Sequence, residues 1–516
     1  MMNRRDFLTA SATALAAAGA PLTLRAENQA MPIQDKPNIL LIHTDQHRWD
    51  CLGACGHPDV RTPNIDQLAR EGVRFDNHFC PYPVCTPSRY SLLSGQFVHG
   101  HQGWSNYCTL APEIPTFPRA LRDAGYATKA VGKMHFTPTY LDVGFQDLVL
   151  AEQDGPGRWE DDYHRALMAE GLVDRNDLED QRKEYRDQAP EAYWESFGAL
   201  PSNLPEEFHS TRWIADRAVE TLEGWEGGGH LLMTGFIKPH HPFDPPASWK
   251  DAYDPDKLTL TAGWIPECLP RDLAMNPGYF PHKKLNEPAL RRAMAYYYAT
   301  ISHIDAEVGR MLDVLRRKGL YDKTLIIFTS DHGEYLGFHH LLLKGNYMYD
   351  PLVRVPLIIR YPGAHGAGTV NGSLVSNIDV APTILGLAGV AAPESMGGID
   401  LRPGDTGREV LFAENRQGQH VMARSKTHKL ILTDGELPAL FFDLAADPLE
   451  MTDLYGSREH QDVQEKLAAA IRGWRAPSDS QRPYLDTDAP QIPVPHRAAQ
   501  GNEKAVSAYY REKMTD

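Results

Sequence analysis

Four apolar runs along the chain end abruptly in polar residues. "NILLIH" is followed by Thr44, Asp45 and Gln46, and "ATKAV" by Gly132, Lys133, Met134 and His135. "LLMTGFI" runs into Lys238, Pro239, His240 and His241, and "TLIIFT" into Ser330, Asp331, His332 and Gly333. Short continuous apolar runs suit strands buried on both faces. Helical patterns separate them. In "RTPNIDQLAREG", Thr62 is placed to cap a helix that begins at Pro63 and stops at Gly72. Further helical stretches precede "ATKAV" and "LLMTGFI", and a long one runs from Glu287 into "EVGRMLDVLRRKG". The alternation predicts an α/β fold, a large mixed, mostly parallel sheet sandwiched by helices.

The texture changes after "NIDVAPTILGLAG". "HKLILTDGELPALFFDL" reads as short strands joined by turns, and an amphipathic helix follows from Gln461 to Trp474. These features predict a smaller C-terminal antiparallel-sheet domain over 405–516, behind a large domain over 31–404. Between Glu152 and Glu207 the chain is charged, aromatic and punctuated by proline, with no clear strand. That segment reads as an insertion over one sheet edge, either shaping a pocket or forming a solvated helical excursion. The Pro-rich tail after Pro477 is expected to wrap the surface or stay mobile.

The first residues, "MMNRRDFLTASATALAAAGAPLTLRA", place Arg4 and Arg5 before a weakly apolar Ala-rich run. This is the layout of a twin-arginine export signal over 1–30. Its apolar part is too short to span a bilayer. The mature protein is therefore expected in the periplasm or outside the cell, with no membrane span. Such a substrate folds before it leaves a reducing compartment, so the six cysteines are expected to be mostly free. The formal net charge of −16 argues against nucleic acid and acidic membranes as partners. An anionic substrate would need a local cationic pocket.

In an open parallel sheet, ligands bind beyond the carboxyl ends of the strands, so the four polar clusters share an address. Asp45, Gln46, Asp331 and His332 offer two carboxylates, an amide oxygen and an imidazole, a set suited to a divalent cation. Ca2+ leads, with Mn2+ or Zn2+ as alternatives. Lys133, His135, Lys238, His240 and the later Lys344 supply positive or protonatable groups for a tetrahedral oxyanion ester. Were the substrate a carbohydrate, Trp49, His101, Trp104 and Asn106 would be candidates to line a sugar subsite. The role of Cys85, in "CPYPVCTPSRYSLLSG", stays open on these grounds among reactive thiol, half-cystine, metal ligand and precursor.

Taken together, the chain resembles the type I sulfatase family of the alkaline-phosphatase-like superfamily. The match carries C-x-P-S-R as Cys85, Pro87, Ser88 and Arg89, with "NILLIHTDQ", "GKMH", "KPHHPF", "TSDHGE" and Lys344 in order. It runs from Pro37 to Asp453. The resemblance implies a sulfuric ester hydrolase acting on a sulfated carbohydrate. It also implies that a maturation enzyme oxidises Cys85 to Cα-formylglycine, whose hydrate is the nucleophile. Asp45, Gln46, Cys85, Asp331 and His332 would hold the metal, and Arg89 would hold the modified residue. Lys133, His240 and Lys344 would bind substrate. His240 would be the general acid, with Lys344 sharing that role, and His135 would take the proton of the remaining hydroxyl. His240 is favoured over His241 because neighbours on an extended segment point in opposite directions. Gln46 and His332 depart from the Asp-Asp and Asp-Asn pairs of many sulfatases and resemble a branch containing phosphonate monoester and phosphodiester hydrolases. That reaction is the alternative, and a non-catalytic sulfated-glycan binding protein is a third. Oligomeric state is not legible.

Overall fold

The computed structural model describes residues 35–153, 159, 161–278, 280–402, 407–475, 484–493 and 502–515. The export-signal expectation and the proposed boundary near 404 lie outside the described residues. Eight strands form the main sheet: β1 (Asn38–Asp45), β2 (Val73–Phe79), β3 (Ala127–Gly132), β4 (Asp147–Leu150), β5 (His230–Pro239), β6 (Thr324–Ser330), β7 (Leu357–Arg360) and β8 (Thr369–Ser376). Their order is β4-β3-β5-β1-β6-β7-β2-β8. Only β7 runs against its neighbours, β6 and β2. The sheet is thus mixed and mostly parallel, as expected.

Both faces are covered, and β1 shows how. Ile39 and Leu41 point into a core shared with Tyr90, Leu92, Leu93, Phe117 and Leu121. Leu40 and Ile42 point the other way, among Ile65, Leu68, Ile214, Ala218, Ile304 and Val308. Those residues lie on α1 (Pro63–Glu71), α2 (Cys85–Ser94), α3 (Phe117–Asp123), α4 (Ser210–Glu223) and α5 (Glu287–Arg317). An apolar run without alternation is what a two-sided burial requires.

The expected bounds of α1 hold, with Thr62 at the N-cap and Gly72 at the C-cap, but the local bonding differs. Thr62 does not cap the helix with its side chain; its Oγ1 donates to Asp66 Oδ1 at 2.9 Å and accepts from Gly53 N at 2.9 Å. Gly72 has ordinary extended geometry, φ −132°. It is small because a Cβ there would stand 2.5 Å from the Ile359 carbonyl oxygen of β7.

The C-terminal part forms a second sheet, β9 (Leu411–Asn415), β10 (His420–Arg424), β11 (His428–Leu432) and β12 (Leu440–Asp443), antiparallel throughout. The helix Gln461–Trp474, α6, packs Leu467 and Ile471 onto Val421, Ala423, Leu430 and Phe441. The other face of this sheet joins Phe79, Tyr349 and Leu352 in one core. The tail wraps the large sheet: Asp142 N donates to Pro490 O and Ile492 N to Tyr140 O, both at 2.8 Å. A terminal helix, α7 (Asn502–Thr515), is an element the sequence pattern did not predict, and it buries Val506 and Tyr510 near Trp159. Among the described residues no helix is long and apolar enough to cross a membrane.

Candidate active site

The register fixes the address. Gly132 of β3 pairs with Gly235 of β5, His43 of β1 with Gly235 and with Thr329 of β6. The carboxyl ends of β3, β5, β1 and β6 are therefore neighbours, and the four polar clusters meet there.

Cys85 opens α2, and Asn106 Oδ1 accepts from the next amide, Thr86 N, at 3.1 Å. Gly95 closes the helix in the left-handed region, φ 64°. All ten side chains of α2 are buried, and Tyr90, Leu92 and Leu93 pack against Ile39 and Leu41 of β1. Cys85 Sγ then lies 3.3 Å from His332 Nε2, 3.7 Å from Asp45 Oδ1 and 3.0 Å from Lys344 Nζ. All six cysteines are free.

Asp45, Cys85, Asp331 and His332 each offer a ligand atom within 4.8 Å of the others. His332 Nδ1 faces the Gly333 carbonyl at 2.9 Å, so an Nδ1–H donor leaves the Nε2 lone pair for a cation. Gln46 lies next to this set, its backbone N–H donating to Asp331 Oδ1 at 3.1 Å. Its Nε2 donates to Glu334 Oε2, while its Oε1 is buried with no hydrogen-bond partner among the described residues. An orphaned buried acceptor on the residue that follows Asp45 fits a metal ion that would satisfy it.

Arg89 organises the carboxylates. Its Nε donates to Asp331 Oδ2 at 3.0 Å, Nη2 to Asp45 Oδ2 at 3.0 Å and Nη1 to the Lys133 carbonyl at 2.6 Å. Lys133 Nζ adds a contact to Asp45 Oδ2 at 2.8 Å. Burial pushes the Asp45 carboxyl up, but the cations Lys133, Arg89 and Lys344 outweigh it and hold Asp45 well below the usual range. Burial and Asp45 likewise raise the Cys85 thiol, and Lys344, Lys133 and His332 reverse the shift to well below its ordinary value. Three fixed cations facing two carboxylates supply the cationic pocket that an acidic protein needs.

The acid pair is resolved further than the sequence allowed. His240 Nδ1 is 2.7 Å from the His241 carbonyl and its Nε2 is 3.0 Å from Lys344 Nζ. Burial, Lys344 and His241 hold the His240 imidazole well below its ordinary range. With Nδ1 donating to that carbonyl, Nε2 is left to accept from Lys344 Nζ.

Several expectations are corrected. The rings of His240 and His241 do not point apart; they stack with centroids 4.1 Å apart, because the segment turns after β5, with His240 N donating to Ile237 O at 3.2 Å. His241 pairs with Asp180, whereas His240 contacts Lys344. Lys238 leaves the pocket for a buried ion pair with Asp244. Trp104 is no open sugar platform. It is 2% exposed and packs with Tyr82 and Val98, its ring edge-on to Tyr82. His101 is likewise buried, bonded to Ser91 Oγ at 2.8 Å. The guanidinium of Arg354 covers the Trp49 ring, 3.6 Å from its centroid.

His135 has φ 61° and donates its backbone N–H to Glu152 Oε1 at 2.9 Å. Both of its ring nitrogens are buried without a hydrogen bond among the described residues. Glu152 and Gln153, at the start of the charged insertion, went unrecognised in sequence. Gln153 Oε1 accepts from Lys133 Nζ at 3.1 Å, and its Nε2 donates to the His241 carbonyl at 2.8 Å. Asp180, buried on a short helix of the same insertion, holds His241. The insertion therefore builds the pocket wall. Of the two readings of this segment, pocket shaping is the one its contacts favour.

A buried cysteine beside a carboxylate-imidazole cluster and a lysine-histidine pair, all at one parallel-sheet edge, suit a hydrolase of tetrahedral oxyanion esters. Comparison with known proteins narrows the class. The sulfatase family profile matches residues 37–390, and that of the N-sulphoglucosamine sulphohydrolase C-terminal region matches 337–476. An arylsulfatase of Clostridium perfringens is 30% identical over 83% of this chain and 92% of its own length. An N-acetylglucosamine-6-O-sulfatase of Bacteroides thetaiotaomicron is 28% identical over 88% of each. The structure of a phosphonate monoester hydrolase of Agrobacterium radiobacter superposes with TM-score 0.71 and 25% identity, covering 85% of this chain and 95% of that one. The chain belongs to the sulfatase family and is a sulfuric ester hydrolase.

Proposed function

We propose that the enzyme removes sulfate from a sulfated carbohydrate outside the cytoplasm, using a Cα-formylglycine made from Cys85 by a maturation enzyme. The observation that carries this reading is the position of Cys85, at the start of α2 and within reach of Asp45, His332 and Lys344. A thiolate there would leave a sulfur-bound product with no built-in exit. The hydrated aldehyde supplies one hydroxyl to attack and a second to expel sulfate. The similarity to the N-acetylglucosamine-6-O-sulfatase supports a sugar ester, and the twin-arginine pattern supports an exported polymer-degrading role.

Asp45, Gln46, Asp331, His332 and the modified residue would hold a divalent cation, with Ca2+ favoured by the oxygen-rich donor set. Such an ion polarises a sulfate oxygen and lowers the pKa of a neighbouring hydroxyl. Arg89 fixes both carboxylates and the residue beside them. Lys133 and Lys344 present ammonium groups to the sulfate oxygens. Lys344 also donates toward the leaving alcohol, with His240 Nε2 holding its ammonium in place, because a sugar alkoxide departs only when protonated. His135, its ring unbonded in the pocket wall, is assigned to take the second proton.

Comparing specificity constants for a sulfated glucosamine, an aryl sulfate and a phenylphosphonate ester tests the substrate. Release of sulfate from the sugar at a higher specificity constant than phosphonate cleavage is expected. A preference for the phosphonate would instead support the second reading, which the uncharged Gln46 and the phosphonate hydrolase likeness favour. Mass spectrometry of the Cys85 peptide from the native host tests the nucleophile, and an intact thiol would overturn it and favour a glycan-binding role.

A further inference from the structure

A second group of metal-type ligands stands outside the catalytic centre. His428 opens β11 and Asp443 closes β12, and the two are direct cross-strand partners. His460, immediately before α6, brings a third group to the same corner. One ligand atom from each lies within 4.8 Å of the others, and all three residues are half-buried. Donor atoms around a tetrahedral ion with bonds of about 2.0 Å stand roughly 3.3 Å apart, so closure needs only small side-chain rotations.

The three groups are already oriented. His428 Nδ1 is 2.9 Å from Thr427 Oγ1, which leaves Nε2 as the free lone pair when Nδ1 donates. Its ring stacks on Phe441 at 5.6 Å between centroids, and the His460 ring lies 5.7 Å from the same Phe441 and 6.0 Å from His428. Asp443 Oδ1 accepts from Ala445 and Ala446 amides, at 3.0 and 3.2 Å, which fixes the carboxylate. Its Oδ2 takes no hydrogen bond among the described residues. Two imidazoles and one carboxylate select a borderline divalent transition cation over Ca2+ or Mg2+.

We propose that His428, Asp443 and His460 form a metal site, separate from the active site, that binds Zn2+ or a similar cation with water in the remaining position. The ion would tie the inner strand β11 and the edge strand β12 of the small sheet to the start of α6, closing the 444–459 segment between two of its ligands.

The test is zinc loading of the full-length, matured enzyme, followed by desalting and metal analysis, beside a His428→Asn, His460→Asn double variant. Wild type is expected to retain one more zinc equivalent than the double variant; zinc entering the catalytic centre is common to both and cancels. Zn2+ is expected to raise the unfolding midpoint of wild type more than that of the variant, with sulfate release equal in both before zinc is added. Asp443→Asn keeps the Oδ1 acceptor, removes only the charge, and is expected to weaken the extra site at least about tenfold. Equal zinc content and equal midpoint shifts in wild type and double variant overturn the proposal. If the double variant misfolds, Asp443→Asn decides alone, and an unchanged zinc affinity there overturns it equally.

Discussion

Lys344 Nζ and His240 Nε2 are 3.0 Å apart, and the same ammonium is 3.0 Å from Cys85 Sγ. The geometry makes Lys344 the donor and His240 its acceptor. His240→Gln is therefore expected to lower kcat by about 10²-fold or more on an alkyl sulfate of a sugar, and far less on an aryl sulfate whose phenol leaves unaided. Lys344→Gln should be damaging on both, since it also faces the nucleophile position. Equal losses of His240→Gln on the two substrates would remove the histidine from leaving-group chemistry.

Arg89 is bonded to Asp331, Asp45 and the Lys133 carbonyl in a buried setting. Arg89→Ala leaves two buried carboxylates without their guanidinium, at a cost of roughly 3–5 kcal/mol in the metal-free protein. Arg89→Lys keeps the charge but not the fork, so its stability should fall between the two. Urea unfolding in the presence of a chelator measures both.

Glu334 faces the amide of Gln46 and also accepts from the Leu336 N–H at 2.9 Å. Glu334→Gln would set one amide donor against another and turn the Gln46 oxygen away from the cation set. Divalent metal affinity is expected to fall about 10–100-fold, with little change in fold. Competition with a chromophoric chelator reads this out, and an unchanged affinity would exclude Gln46 Oε1 as a ligand.

His78, buried in β2, offers a pH test away from the metal ligands. Burial pushes its pKa down to about 3, against opposing backbone carbonyls of Val355, Pro356 and Ser376. The native ring stays neutral while the unfolded one takes a proton below about pH 6.5, so stability is lost as pH falls through that window. Other buried groups act in the opposite sense; Asp272 and Asp305 are pushed up by burial to about 6. The contribution of His78 is isolated by difference. Relative to His78→Phe, wild type should lose about 1.4 kcal/mol per unit between pH 6.5 and 4.5. Denaturant midpoints of the two proteins, measured across that range, check the slope.

The main sheet and the cation set were legible because each needs little context. An apolar run with no alternation means burial on both faces, and parallel strands bring Asp45 and Asp331 to one edge whatever the loops do. What failed depended on the loops. Lys133 and Lys238 occupy equivalent strand ends, yet Asp244, six residues on, draws Lys238 out of the pocket. Alternation assigned His240 and His241 to opposite sides, and the turn after β5 stacked them. Gln153 and Asp180 reach the site only through tertiary folding of the insertion. The terminal helix α7 was missed because its apolar residues, Val506 and Tyr510, sit in a polar, Ala-containing stretch that shows little of a core-facing pattern.

The side chain of Cys85 is 1% exposed, and every residue of the helix it begins is enclosed. No second protein can close its own active site around a sulfur so placed once the chain is compact. On the formylglycine reading this imposes a schedule: oxidation while residues 80–95 are still an accessible peptide, then folding. A chain that folds too early would be permanently inactive, so the speed of folding itself becomes a determinant of how much enzyme a cell obtains.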